Sequence, residues 1–148
     1  MKLTIRPASD ETFAAIAAWR YEPPYDFYDG DVDPVLNPER FYEALGEGGA
    51  LMGFYYLEQK GDALEIGLGL RPDLTGRGLG LEFLRAGVEF GRTRFRSTRV
   101  ILNVAAFNER AIRVYERAGF RETGRHTRRF ERWGDVEFVE MEQTAPPG

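Results

Sequence analysis

The sequence predicts one domain built on a single mixed α/β sheet, of the α+β kind. Three observations carry this: short runs that alternate apolar and polar residues, two strongly amphipathic segments at helical spacing, and the absence of any repeat or linker along 148 residues. A chain of this length buries roughly 70% of its unfolded surface in one core. The domain is expected to span residues 1–143, with 144–148 (TAPPG) as a frayed tail.

Met1 to Arg6 alternates as a strand, with Leu3 and Ile5 on one face, and Pro7 ends it. Ser9 or Asp10 can cap the helix that follows, in which Phe13, Ile16 and Ala17 are expected to face the core. The stretch WRYEPPYDFYDGDVDPVLNPE carries four prolines, which forbid a long regular element. Its aromatics, Trp19, Tyr21, Tyr25, Phe27 and Tyr28, are too many for a flexible linker, so an ordered loop with at most a short helical turn is expected.

RFYEAL, ALMGFYYLEQ and ALEIGLGLRP, separated by GEGG and KGD, predict a three-strand meander. A helix over NPERFYEAL competes for the first of them, since Asn37 could cap and Pro38 could take the first position. GLEFLRAGVEFGRTR puts Leu81, Leu84 and Val88 on one stripe widened by Phe83 and Phe90, which is a helix. Thr98 to Val104, rich in β-branched residues, is a buried strand. Asn108 caps a helix bearing Ala111, Val114, Tyr115 and Ala118, which Gly119 stops. Phe120 to Phe130 and Val136 to Glu142 close the chain as strands around a turn at Trp133, Gly134 and Asp135.

Composition excludes several chemistries. With no cysteine and one histidine, a disulfide scaffold, a thiol nucleophile and a thiolate or multi-histidine metal site are out, so no metal is expected. No apolar run reaches the length of a membrane span, and the first residues lack the apolar core of a secretory signal. A cytoplasmic protein without a membrane partner is the expectation. The net charge of −4 hides an asymmetry: seven acids (Glu22, Asp26, Asp29, Asp31, Asp33, Glu39, Glu43) face one base between Glu22 and Glu43, whereas Arg71 to Arg132 holds fifteen arginines against seven acids. The basic half suits an anionic ligand and the acidic stretch a cationic one, with solvated surface charge as the plain alternative. The arginines are scattered over several elements without interleaved aromatics, so nucleic acid ranks last among partners.

TGRGLG (Thr75 to Gly80) lies between a strand and a helix, where backbone amides and the helix dipole can meet an anion; a tight structural turn is the alternative. It is not a P-loop, because Leu81 and Glu82 follow where Lys and Ser or Thr would stand. Nor is it a dinucleotide fingerprint, since the glycines sit in mid-chain as GRGLG. The pairing of RPDLTGRGLGLEFL with VAAFNERAIRVYERAGF resembles the GCN5-related N-acetyltransferases (GNAT), in element order over nearly the whole chain. Gly78 and Gly80 match the first motif and Thr75 departs from its Arg or Gln; Asn108, Ala111, Tyr115, Gly119 and Phe120 match the second.

The resemblance implies a mostly antiparallel sheet flanked by helices, with a splayed central strand pair. It implies acetyl-CoA (coenzyme A) as cofactor, held by Gly76, Arg77, Gly78, Leu79, Gly80 and Leu81 at its pyrophosphate, by Leu68, Gly69 and Leu70 along its pantetheine arm, and by Asn108. A backbone amide near Leu68 would polarise the thioester carbonyl. Tyr115 matches the family's general acid, and Glu65 is the candidate base, with His126 or water as alternatives. Trp19, Tyr25, Asp26 and Tyr28 are the candidate acceptor-binding residues, with Tyr21, Phe27, Asp29 and Asp31 beside them. The implied activity is acetyl transfer to a primary amine of a small molecule or a peptide or protein terminus by direct attack. A non-catalytic acyl-CoA sensor of the same fold is the alternative, and the family's habit of pairing through carboxy-terminal strands raises a homodimer.

Overall fold

The computed structural model describes residues 1–29 and 37–144. Its elements follow in the order β1 (Thr4–Pro7), α1 (Asp10–Ala18), β2 (Phe41–Leu45), β3 (Leu51–Lys60), β4 (Ala63–Leu70), α2 (Gly80–Phe95), β5 (Arg99–Ala105), α3 (Glu109–Arg117), β6 (Arg121–Phe130) and β7 (Gly134–Thr144). The seven strands form one sheet in the order β1-β2-β3-β4-β5-β7-β6. Tight turns join β2 to β3, β3 to β4 and β6 to β7, which makes those pairs antiparallel. The α2 crossover between β4 and β5 allows that pair alone to run parallel.

Local chemistry explains the boundaries. Ser9 accepts the Thr12 N–H and so caps α1; Asn108 Oδ1 does the same for Ala111 and starts α3. Phe41–Leu45 is a strand rather than a helix, and Pro38–Arg40 before it makes only a 3₁₀ turn. Four differences from the sequence expectation stand out. β1 starts at Thr4 because β2 offers partners only from Thr4↔Leu45 onward. Ala17 is exposed, since α1 buries Thr12 and Ile16 instead. The last hairpin turns at Glu131–Trp133, so Gly134 and Asp135 already pair with Phe130 and Arg129. β7 runs on to Thr144, which pairs with Arg99, so the domain extends one residue into the expected tail; the rest of that tail, 145–148, lies outside the described residues.

The core lies between the sheet and α2, with α3 packed against its edge. Tyr55, Leu57, Leu64 and Ile66 of β3 and β4 pack with Phe83, Leu84 and Val88 of α2 and with Val100, Leu102, Val139 and Met141. Each large apolar side chain fully buried there contributes about 1.5–3 kcal/mol. Tyr55 keeps its hydroxyl satisfied by donating to Phe83 O at 2.6 Å while its ring stacks on that of Phe83.

One buried charge ties the first helix to the sheet. Glu43, 1% exposed on β2, accepts from Arg6 Nε at 2.6 Å, Thr12 Oγ1 at 2.7 Å and Ser9 N at 2.9 Å. Burial by itself pushes its carboxyl up, but the hydrogen bonds from Thr12, Ser9 and Arg6 outweigh that and hold it at about 2, below its ordinary 4.5. A depressed carboxyl contributes stability that is complete above about pH 4.5 and lost as pH falls toward 2, here about 3 kcal/mol. Urea midpoints measured from pH 7 to pH 2 should therefore drop across that window, and Glu43→Gln should be destabilised at pH 7 by about 3 kcal/mol with the acid dependence flattened. An unchanged acid profile in the variant would show that Glu43 is not the group responsible.

Candidate active site

The site begins where the parallel pairing stops. β4 and β5 share register at Ala63↔Arg99, Leu64↔Val100 and Glu65↔Ile101 only. Beyond Glu65, β4 stays paired with β3 through Leu70, and beyond Ile101, β5 stays paired with β7 through Ala105. The two strands diverge, leaving the edges of 66–70 and 102–105 facing one another across a gap. A cavity of about 490 Å³ occupies it, and its lining includes Glu65 to Leu70 from one strand and Leu102 to Ala105 from the other. Gly67 and Gly69 make no bulge: both stay in register with Tyr56 and Phe54. A Cβ on Gly69 would collide with the Phe54 ring, whereas one on Gly67 would make only an ordinary contact with Tyr56.

The glycine-rich turn stands at the mouth of the gap. Gly76 and Gly78 have φ of 74° and 77°, a left-handed conformation that costs a side-chain-bearing residue about 1–2 kcal/mol. Two such residues in one short turn swing the chain into α2, whose N-terminus receives no side-chain cap. Its first amides are thus left for an outside acceptor. Thr75 spends its hydroxyl on Pro72 O at 2.7 Å, closing the preceding 3₁₀ turn. The guanidinium of Arg110, in the first turn of α3, lies over the Tyr25 ring at 4.2 Å and reaches within 3.8 Å of the position a Cβ on Gly76 would take. It puts positive charge against the glycine turn.

Tyr115 and Asn108 approach from α3. Asn108 does two jobs at once, capping the helix with Oδ1 and donating from Nδ2 to Tyr28 Oη at 3.1 Å. Tyr115 lines the cavity, packs against Phe120, and has its phenol pushed well above the ordinary value of 10 by burial and then by Tyr28. It is fully protonated at neutral pH. Glu65 also lines the cavity, but both its oxygens have partners: Lys60 Nζ stands 2.7 Å from Oε1, and Asn103 Nδ2 donates to Oε2 at 3.1 Å.

Two aromatic walls enclose the wider part of the cavity. On one side are Trp19, Phe41, Phe54 and Tyr56, and on the other Phe27, Tyr28, Phe130 and Phe138. Tyr21 donates its hydroxyl to Leu70 O at 2.7 Å and fixes the loop to the end of β4.

Of the residues expected from sequence, Tyr115, Glu65, Leu68, Gly69, Leu70, Gly80, Asn108, Trp19, Tyr25 and Tyr28 line one cavity. Gly76, Arg77, Gly78, Leu79 and Leu81 form the adjoining turn and the start of α2 without lining it. Asp26 stands off the wall and faces Arg132 of the last hairpin at 3.9 Å, while Asp29 accepts the Tyr21 N–H. Asp31 lies outside the described residues. His126 stacks on Phe138 and accepts from Arg128 Nε at 3.1 Å, on the hairpin rather than in the cavity wall. Sequence reasoning missed Phe54, Tyr56, Asn103, Arg110, Arg128, Phe130 and Phe138. For Phe54 and Tyr56 a signal existed: each sits opposite a glycine of β4, and that pairing leaves room for a ring to lie over the strand. Among the described residues no cluster of three His, Cys, Asp or Glu could hold a metal ion, and no helix is long and apolar enough to cross a membrane.

Comparison with known proteins agrees with this geometry. A family model described as an acetyltransferase (GNAT) domain matches residues 2–121. A mycothiol acetyltransferase of Clavibacter michiganensis subsp. michiganensis is 36% identical over 98 residues, 66% of this chain and 32% of the relative. The chain thus spans about a third of the length of the curated relatives it matches. Among solved structures, a spermidine N-acetyltransferase from Vibrio cholerae in complex with CoA and spermine superposes with a TM-score of 0.70 at 18% identity, covering 96% of this chain and 95% of that one. The ribosomal-protein-S18-alanine N-acetyltransferase from Escherichia coli gives 0.66 at 20% identity over 99% and 97%. At these identities the structural matches establish the fold: a seven-stranded, mostly antiparallel open sheet with three helices.

Proposed function

Because the chain belongs to the GNAT acetyltransferase family, we propose that it transfers an acetyl group from acetyl-CoA to the primary amine of a small molecule or a peptide terminus. The observation that carries this is the opening of the β4–β5 pair directly beside the uncapped start of α2. An extended arm that offers amide groups fits between two unpaired strand edges, and an anionic diphosphate fits the amides of Gly76 to Leu81 with Arg77 and Arg110 near them. The residues present therefore suit the family's cofactor.

Bound acetyl-CoA supplies an activated thioester. Around it, this chain's groups divide the work. The backbone of Leu68, Gly69 and Leu70 holds the arm in line, and an amide near Leu68 serves as the oxyanion donor. Tyr115, protonated and at the end of the gap, gives the leaving thiolate its proton and regains one from solvent. Glu65 faces the acceptor amine as the proton acceptor, with Lys60 Nζ 2.7 Å from its Oε1. Trp19, Tyr25 and Tyr28 hold the body of the acceptor, and their faces attract an ammonium as it arrives. The cavity walls are aromatic, and the lining carboxylate among the described residues, Glu65, already has a cation. A monoamine with an apolar body suits these walls better than a polyamine.

The test is the melting temperature in acetyl-CoA, CoA and ATP, each at the same concentration. A ligand at 100 times its dissociation constant stabilises by about 2.7 kcal/mol, or about 5–10 °C for a domain of this size. The expected result is a rise with acetyl-CoA and CoA, none with ATP, and amine-dependent thiol release. No shift at millimolar CoA would remove the proposal.

A further inference from the structure

Among the described residues three charged side chains line the cavity: Glu65, Arg110 and Arg128. Glu65 already faces Lys60, and Arg110 lies over Tyr25 beside the glycine turn. Arg128 makes no ion pair among the described residues, whereas Arg125, Arg129 and Arg132 of the same hairpin each face a carboxylate. It is exposed, so a molecule entering the cavity can reach it. Two contacts hold it in place. Its guanidinium lies over the Phe138 ring at 4.7 Å, and Nε donates to His126 Nε2 at 3.1 Å. That leaves the edge carrying Nη1 and Nη2, a planar pair of N–H donors.

Register puts this charge on the same side of the sheet as Glu65. Paired residues share a face, and so do alternate residues along one strand. Glu65 pairs with Ile101, Ala105 with Phe138, and Phe138 with His126, so Glu65, Phe138 and Arg128 stand on one face while the α2 core occupies the other. β4 and β6 are separated by β5 and β7. The Arg128 guanidinium reaches inward as far as β7, which leaves about 10 Å or more between it and the strand of Glu65.

We infer that Arg128 binds a carboxylate carried by the acceptor at the end of its body opposite the amine. The inference rests on the acetyl-transfer proposal and names its substrate class: a monoamine whose amine and carboxylate stand at the two ends of an apolar body. An acceptor with an ammonium alone would enter a lining whose carboxylate is already paired and whose two arginines repel it. A carboxylate suits the open edge of Arg128 better than a phosphate does. Its two oxygens match the two N–H groups, and one guanidinium balances its single charge.

Phenethylamine and 4-(2-aminoethyl)benzoate share the amine and the aromatic body, and only the second carries a carboxylate. Calorimetric titration of both into CoA-loaded wild-type protein and Arg128→Gln reads the contact. The wild type should bind the benzoate roughly 10-fold more tightly than phenethylamine, and Arg128→Gln should bind the two alike with CoA affinity unchanged. The comparison of the two amines in the wild type stands even if the variant does not fold. A wild type that binds both equally, or binds neither, would overturn the inference. So would a preference for the benzoate that survives in Arg128→Gln, and CoA binding that falls in that variant alongside such a preference would assign Arg128 to the cofactor. Any of these results with normal CoA binding by the wild type removes the role of Arg128 alone, whereas a wild type that binds no CoA removes the acetyl-transfer proposal as well.

Discussion

Gly78→Asp is expected to abolish CoA binding while leaving the protein folded. Two effects act on this variant and they are separable. Gly78 has φ of +77°, so any side chain there is strained by about 1–2 kcal/mol, although aspartate tolerates that region better than most residues. Space is no obstacle, since a Cβ at Gly78 would meet nothing within 4 Å. The larger effect is charge: two unit charges about 5 Å apart at an effective dielectric near 20 repel by about 3 kcal/mol, which alone is more than a hundredfold in affinity. Gly78→Asn has nearly the same shape and the same backbone demand without the charge. If backbone amides hold the phosphates, the asparagine variant should keep affinity within about tenfold of wild type, and the aspartate variant should show no heat on titration with CoA at concentrations that saturate the wild type. An aspartate variant that bound CoA as well as the asparagine one would move the diphosphate away from this turn. The pair also bears on Thr75, which stands where the family motif has Arg or Gln. Its hydroxyl closes the Pro72 turn, and the positive charge the motif would have supplied is met by Arg77 in the turn and Arg110 across from it.

How much of this was legible in the sequence depends on whether the signal was local. The ALEIGLGL strand, the α2 stripe and the Asn108 cap are written in a few adjacent residues, and each forms as the pattern demands. Glu43 shows the opposite case. It alternates with Tyr42 and Ala44 and so reads as an outward-facing carboxylate, yet α1 crosses that face and buries it, which no period within β2 could reveal. The site divides along the same line. Glycines at 67, 69, 76 and 78 mark a close approach and a special turn, whereas Tyr115 and Asn108 are singled out as site residues by the resemblance that VAAFNERAIRVYERAGF carries. The register that ends at Glu65↔Ile101 is a property of two strands separated by a helix, and the cavity between them has no local signature. Phe130 and Phe138 belong to the far hairpin and enter the wall only because β7 inserts between β5 and β6. Asn103 sits in a strand read as buried and β-branched, where one polar residue looks incidental until its amide is seen to hold Glu65.

Tyr115→Phe is expected to lower the rate of acetyl transfer by roughly 10²- to 10⁴-fold, the usual span for loss of a positioned acid, with CoA affinity nearly unchanged. The phenyl ring keeps the packing that Tyr115 makes with Phe120, so the variant removes a proton donor and little else. Single-turnover measurement of thiol release at saturating amine reads the chemical step, which a slow product release could otherwise hide. The pH dependence supplies a second, independent check. Burial and then Tyr28 push the Tyr115 phenol above its ordinary 10, so the acid form persists through pH 10, and the wild-type rate should show no falling limb from this residue between pH 7 and pH 10. A raised pKa also makes the phenol a weaker acid toward the thiolate. Its advantage lies in position: the donor is already aligned in the gap, and the proton it gives up is restored from solvent after the thiol forms. Tyr28→Phe separates the two tyrosines. It deletes the hydroxyl that takes the Asn108 Nδ2 hydrogen bond and relieves one of the two influences on Tyr115, so the rate should fall less than tenfold if Tyr115 is the acid. Should Tyr115→Phe instead turn over at the wild-type rate while Tyr28→Phe loses it, the proton would come from the loop and not from α3.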